Sequence, residues 1–337
     1  MTHYTTSTKT TSTEMTPVVP KGPLLHPEEM RRTGTRPSEA MAALVADKTR
    51  TDLSFTELAA GVWEVKAQQP GSRCVVLGGN HGNEPSGVFT VMRLLHEYTH
   101  GDRQLTNGSV VLAVGNEDAV MANMREVTSN LNRLFLAEPK DGNEPELNRA
   151  RELRELLFEQ GSFFLDLHST SRPSKPFVVV ETCNVDQAWW VPVETVLCGT
   201  PEHFDKYLPG TTQRYGALRG VTTFTMECGQ HGESSTADVA YLTANTFLAA
   251  YLPEKPSLVR NLDRLVVEFN TVVPKNDDTF RFTRSFEGFD TVSRGELLGK
   301  GDLGAHYAEE DCVVVFPTDP TKVEPGGDLY FLGRRLS

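Results

Sequence analysis

Three polar groups of this chain stand just past apolar runs, and their types suit metal-assisted chemistry. The first is Gly78-Gly79-Asn80-His81-Gly82-Asn83-Glu84-Pro85. A His and a Glu three apart can face one metal ion if the backbone between them is a tight turn or the first turn of a helix. The bare pattern carries little information, since it recurs at His26/Glu29 and His306/Glu309. Those copies fall in a Thr/Ser-rich leading segment and in a turn-rich C-terminal stretch, where solvated pairs are expected. Only the middle copy follows an apolar run through a glycine turn, where backbone can approach a ligand closely.

The second group is Asp166-Leu167-His168-Ser169-Thr170, at the end of the run from Phe163. The third is Glu227-Cys228-Gly229, at the end of the β-rich run 221–226. In open parallel sheets the ligand crevice lies outside the carboxyl ends of the strands, so these groups can converge there. His81, Glu84 and His168 make a two-His, one-carboxylate set, the pattern of catalytic zinc, which leaves a position for water. Glu227 is then the spare carboxylate that can act as general base. Taken singly, each has a plain alternative: His168 as a buried, hydrogen-bonded histidine and Glu227 as a strand-end surface carboxylate. Their conjunction favours a site.

The elements that would position these groups alternate. Residues 74–79 read as a buried strand, followed by helical spacing at Val88, Val91, Met92 and Leu95. A strand over 109–114 follows, then a helix on Leu147, Ala150, Leu153 and Leu157, and strands near 163–167, 176–182 and 221–226. Ser235-x-x-Asp238 predicts a capping box opening a helix with Ala240, Ala244, Phe247 and Tyr251 on one face. This alternation predicts an α/β domain over residues 38–255, built on a largely parallel sheet. Residues 1–37, rich in Thr, Ser and Pro, read as a disordered tail. Helical periodicity fades beyond Pro253-Glu-Lys-Pro256, and residues 256–337 predict a small all-β domain. Its Gly295, Gly299 and Gly326 repeats resemble barrel-sandwich folds, although no lysine occupies an attachment motif.

Composition narrows the partners. The 337 residues are 38% hydrophobic and 23% charged, which excludes a collagenous, coiled-coil or wholly disordered protein. Lys and Arg number 33 against 45 Asp and Glu, a formal net charge of −12. Such a surface repels phosphate backbones and anionic lipid, so neither nucleic acid nor a membrane is an expected partner. Five widely spread cysteines with no CxxC pair predict reduced thiols and a cytoplasmic protein. A homo-oligomer is left open.

Together the segments Gly-Gly-Asn-His81-Gly-Asn-Glu84, Asn-Leu-Asn132-Arg133-Leu-Phe, Asp-Leu-His168-Ser-Thr and Glu227-x-Gly resemble the succinylglutamate desuccinylase/aspartoacylase family, one of the zinc carboxypeptidase-like hydrolases. The likeness runs from about Gly78 to Gly232. It implies a zinc-carboxypeptidase-like, mostly parallel or mixed sheet flanked by helices, with a small barrel-sandwich-like C-terminal domain. It further implies a zinc-dependent amidohydrolase that cleaves a small anionic N-acyl amino acid into carboxylate and free amine. By this match His81, Glu84 and His168 hold one Zn2+, and Glu227 is the catalytic base and acid. Arg125, Asn132 and Arg133 line the substrate site. The chain departs from the family pattern in carrying Asn130 where Asp is common, and Asn116-Glu117 where Asn-Pro often stands. The family's substrate-binding tyrosine has only Tyr307 and Tyr330 as candidates.

Two other readings compete: a metallocarboxypeptidase acting on short peptides, which needs an open cleft, and a non-catalytic metal- or metabolite-binding module, which could dispense with Glu227. The G-x-S-x-G of a serine hydrolase is absent, and Gly78-Gly79-x-x-Gly82 lacks the Gly-Lys-Ser/Thr of a phosphate loop. Cys228 reads as a small buried residue rather than a nucleophile.

Overall fold

A computed structural model describes residues 26–138, 141–252 and 264–336. The apolar runs at 74–77, 110–114 and 164–167 are buried on both faces, as interior strands of a parallel sheet require. The first strands are β1 (Ser54–Ala59), β2 (Val62–Lys66), β3 (Gln69–Gly78), β4 (Asn107–Val114) and β5 (Phe163–Thr170). They are followed by β6 (Phe177–Glu181), β7 (Thr195–Gly199), β8 (Thr222–Gln230) and β9 (Leu265–Pro274). The remainder are β10 (Arg281–Phe282), β11 (Asp290–Val292), β12 (Leu297–Gly301), β13 (Gly304–Tyr307), β14 (Cys312–Val315) and β15 (Asp328–Arg335). The helices are α1 (Pro27–Thr33), α2 (Pro37–Ala46), α3 (Pro85–His100) and α4 (Glu117–Ala122), then α5 (Pro145–Leu157), α6 (Pro201–Tyr207), α7 (Thr212–Leu218) and α8 (Ser234–Tyr251).

One twelve-stranded sheet runs β1-β2-β4-β3-β5-β8-β6-β7-β9-β15-β14-β11, and β10, β12 and β13 form a second. Strands β4, β3, β5 and β8 run parallel to one another, while β2 lies antiparallel to β4 and β6 antiparallel to β8. The sheet is therefore mixed around a parallel centre. Alternation along β3 divides the core: Cys74 and Val76 pack with Val88, Leu95 and Phe247 of α3 and α8. Val75 and Leu77 pack with Leu147 and Leu153 of α5 on the other face.

Three expectations change. The tail was expected to reach residue 37, but His26 caps α1 and Met30 is fully buried; residues 1–25 lie outside the described residues. Pro27 at the first helical position, acids in the first turn and arginines in the last are helix signals that the surrounding composition averages away. Ser235 does not cap α8, which starts at Ser234; Thr236 Oγ1 instead donates to the Gln230 carbonyl at 2.6 Å. Finally, the C-terminal part is strand-rich as expected, yet β9 pairs in parallel with β7, so β9, β15, β14 and β11 extend the central sheet. That pairing covers what would be an open sheet edge at β7. The expected boundary at 255/256 lies outside the described residues. Among the described residues no helix is long and apolar enough to cross a membrane.

The end of β3 meets the first turn of α3 backbone to backbone. A Cβ on Gly78 would lie 2.3 Å from the carbonyl of Gly87, with no flexible side chain to yield. Gly78→Ala should therefore lower the unfolding free energy by about 2–3 kcal/mol in denaturant titration. A change within experimental error would show that the helix can retreat.

Candidate metal centre and substrate cavity

Glu84 is the residue that caps α3, with Pro85 at the first helical position. A capping side chain normally turns back to the helix's free N–H groups, but Glu84 makes no such bond. Its Oε1 lies 2.8 Å from His81 Nδ1 and its Oε2 3.0 Å from His168 Nδ1, which β5 delivers from the neighbouring strand end. The Ser169 N–H donates to Oε2 at 3.0 Å and Arg125 Nη1 to Oε1 at 3.4 Å. His81, Glu84 and His168 are all buried. The turn that brings His81 round needs Gly82, where a Cβ would fall 1.9 Å from the backbone of Ala119 in α4.

The far ring nitrogens decide what the near ones present. His81 Nε2 lies 3.2 Å from Asn130 Oδ1, an oxygen that also accepts from the Asn132 N–H. His168 Nε2 lies 3.0 Å from Asp166 Oδ2, which accepts from Asn80 Nδ2 and Thr212 Oγ1. Asn130 Oδ1 favours the N–H on His81 Nε2, and the negative Asp166 carboxylate, close to His168 Nε2 but not aligned as a hydrogen bond, favours it there electrostatically, so each neutral ring turns its Nδ1 lone pair inward. Two lone pairs and a carboxylate then converge, their ligand atoms all within 4.8 Å of one another. Only a cation can hold such a set together. A proton can serve: burial disfavours a charged His168, but Asp166 and Glu84 outweigh it and hold its pKa well above the usual value. Burial lowers that of His81. A metal ion fits the donor set better, because two imidazoles, one carboxylate and outer oxygens that orient both rings are what zinc sites use.

Glu227 on β8 stands in register with His168 on β5. Burial pushes its carboxyl up to about 7, with His168 opposing that rise and Glu84 adding to it. Among the described residues its Oε2 has no hydrogen-bond partner. A cavity of about 550 Å³ opens over these groups, and Arg125, Asn132 and Arg133 line it too. Asn132 Oδ1 accepts from the Thr212 N–H at 2.9 Å, which ties the Asn130–Arg133 turn to α7. Arg133 is half-buried, and among the described residues no carboxylate lies within ion-pair distance of it. Neither tyrosine candidate reaches the cavity: Tyr307 is exposed, and the Tyr330 hydroxyl pairs with His306 Nδ1 at 3.0 Å.

Four groups have positioning roles that the sequence did not reveal. Asp166 sits two residues before His168, a spacing that puts both on one face of a strand and could have been read. Asn130 was noticed as a departure, not as the oxygen behind His81. At the other departure, Glu117 follows the α4 cap Asn116 and receives the Ser38 N–H and hydroxyl, so it docks α2. Glu146, 19 residues from Val127, had no local signal at all. It is buried at the start of α5 and accepts from the N–H groups of Val127 and Thr128 at 2.8 and 3.0 Å, and from the Thr128 hydroxyl. It thereby anchors the segment that carries Arg125.

Burial alone would raise the pKa of Glu146, but these hydrogen bonds win and bring it from 4.5 to about 2. A depressed carboxyl stabilises fully above its unfolded pKa and loses that contribution as pH falls through the folded one. The stability gap between the parent and Glu146→Gln, about 1–3 kcal/mol at neutral pH, should thus close between pH 4.5 and 2. Amide exchange at Val127 and Thr128 should rise in the variant at pH 7. A pH-independent gap would contradict the anchor.

Comparison with known proteins identifies the family of this chain. Residues 70–250 match the model of the succinylglutamate desuccinylase/aspartoacylase catalytic domain. The chain is 36% identical over 114 residues to a human N-acyl-aromatic-L-amino acid amidohydrolase (carboxylate-forming), covering 31% of this chain and 35% of that protein. It is 37% identical over 117 residues to a probable aspartoacylase of Parasynechococcus marenigrum, covering 32% and 38%. Each of these matches thus spans just over a third of the relative's length. A succinylglutamate desuccinylase of Pseudomonas paraeruginosa is 29% identical over 324 residues, 87% of this chain and 93% of that one. The fold is shared with the crystal structure of the Vibrio cholerae succinylglutamate desuccinylase, at a TM-score of 0.70 and 20% identity over 88% and 94% of the two chains. With its catalytic domain matched over more than half its length, the chain belongs to the succinylglutamate desuccinylase/aspartoacylase family.

Proposed function

We infer that this protein is a zinc-dependent deacylase that hydrolyses the amide bond of a small N-acyl amino acid. The observation that carries the reading is the convergence of His81 Nδ1, His168 Nδ1 and the Glu84 carboxylate in the lining of one cavity, with a Glu227 oxygen that has no hydrogen-bond partner among the described residues. His81, Glu84 and His168 would hold one zinc ion, which when bound supplies a Lewis acid and an acidified water. Glu227 takes a proton at Oε2 as water adds to the acyl carbon, then returns it to the amide nitrogen as the carbon–nitrogen bond breaks. Burial that lifts its carboxyl to about 7 suits it to both halves of that exchange near neutral pH.

Substrate charge falls to the arginines. A protein of net charge −12 repels anions at long range, so a substrate carboxylate needs fixed cations at short range. Arg133 suits the role, since its planar fork can engage a carboxylate bidentately and no ion pair competes for it among the described residues. Arg125, half-exposed and reaching Glu84, is placed to share it. Asn132 holds the turn. The C-terminal part contributes Phe316, Asp328 and Phe331 to the cavity wall, which favours small substrates over peptides. Five cysteines, none in a disulfide and four of them buried, are consistent with a cytoplasmic protein.

Release of free amine from a panel of N-acetyl and N-succinyl amino acids, with and without chelator, tests the reading. Chelator-sensitive release supports it, and none from any substrate refutes it. Glu227→Gln should keep its metal and lose about 10²–10⁴-fold in turnover; a fully active variant would assign the base elsewhere. Arg133→Lys should raise KM more than it lowers kcat, and amidating the substrate's α-carboxylate should harm the parent far more than this variant. Equal penalties would remove Arg133 from that role.

A further inference from the structure

The cavity has two unlike ends. The first holds His81, Glu84, His168, Glu227 and the two arginines. The second follows from strand register, because residues paired across neighbouring strands share a face. Thr225, two residues before Glu227 and on its face, pairs with Val179 of β6; Val179 pairs with Leu197 of β7. An apolar strip therefore leads away from the catalytic carboxylate along the sheet. Aromatic rings continue it: Phe204 lies 5.4 Å from Phe269, Phe269 6.0 Å from Phe331, and Phe331 5.3 Å from Phe316, ring centre to ring centre. All of these side chains line the cavity.

Packing of the C-terminal strands explains why Phe204, Phe269 and Phe331 are apolar and buried. Phe316 packs on the same cluster, edge-on to Phe177 and Phe331, but packing does not account for its backbone. This residue is half-buried at the cavity wall and holds φ at +50°, in the left-handed region where a bulky side chain is a true outlier. Strain of that kind persists only where the surroundings impose it, and it gathers at ligand sites. Here the following loop is tied on two sides. Arg172 pairs with Asp319 at 3.2 Å and donates to the Pro317 carbonyl at 3.4 Å, while the Thr318 N–H donates to the Leu329 carbonyl at 2.8 Å. These bonds hold the segment that follows Phe316, whose ring packs against Phe177 and Phe331 at the cavity wall. Charge at this end is sparse: Lys322 is the lining cation contributed by the C-terminal part, and Asp328 adds a carboxylate.

We propose that Phe316, with Phe331, Phe204 and Leu208, forms an apolar subsite, and that the substrate is an N-acyl amino acid carrying a bulky apolar group of about phenyl size. The assignment rests on the deacylase reading of the same cavity. The apolar group can enter on the amino-acid side chain or on the acyl chain, and both put the same surface against Phe316. Burying a phenyl ring there should tighten binding by about 10–100-fold over a small or acidic group.

Calorimetry on the zinc-loaded Glu227→Gln protein separates binding from turnover. The ligands are N-acetyl-L-phenylalanine and N-phenylacetylglycine for the two apolar sources, against N-acetyl-L-aspartate and N-succinyl-L-glutamate. The expected result is that at least one phenyl ligand binds tenfold or more tighter than both acidic ones, and which one identifies the source. Adding Phe316→Asn, a residue at ease with a left-handed backbone, should cut that preference to within about threefold, and Phe316→Leu should restore part of it. Acidic ligands that bind as tightly as the phenyl ligands, or a preference that survives Phe316→Asn, would overturn the subsite. If a phenyl ligand binds as expected yet the parent enzyme releases no amine from it, the deacylase reading fails and the subsite stands.

Discussion

A carboxylate buried between two imidazoles is the constraint on which this structure turns. Glu84 is enclosed, and an uncompensated charge in that position is expensive. The surroundings compensate it with the Ser169 amide, with Arg125 at 3.4 Å, and with whatever cation sits between its oxygens and the two Nδ1 atoms. The outer oxygens of Asn130 and Asp166 add the decisive condition. In the neutral rings, the hydrogen bond to Asn130 and the nearby charge of Asp166 favour the N–H at Nε2 and leave lone pairs, rather than donors, facing the carboxylate.

Much of the fold can be read as the means of assembling that centre. The parallel neighbours β3 and β5 bring His81, Glu84 and His168 to one edge, and β8 sets Glu227 beside them in register. Glycines at 78, 82 and 87 let strand, loop and helix approach within backbone contact. Glu146 and Asn132 hold the arginine-bearing turn from behind, so the cationic part of the cavity stands on buried polar bonds rather than on the flexible surface. The C-terminal strands finish the enclosure by extending the sheet past β7 and supplying the aromatic wall.

The chemical groups were legible in the sequence because each stands at the end of an apolar run, a purely local pattern. The positioning groups were not, since their meaning lies in contacts between distant segments. Asn130 looks like a loop asparagine until His81 is seen against it, and Glu146 like any acid in a first helical turn until Val127 and Thr128 fold over it. The pairing of β7 with β9 spans a similar gap: the run from Leu265 predicts a strand but says nothing of its neighbour. Composition misled only at the start of the chain, where Thr and Ser hid the capped helix at Pro27–Thr33.

The account stands or falls on a metal at this one place. Anomalous diffraction from crystals of the protein as purified, recorded on both sides of the zinc absorption edge, tests it most directly. A single peak bounded by His81 Nδ1, His168 Nδ1 and the Glu84 carboxylate is the predicted result. A centre without a peak after zinc has been supplied, with His168 protonated against Glu84, would contradict it.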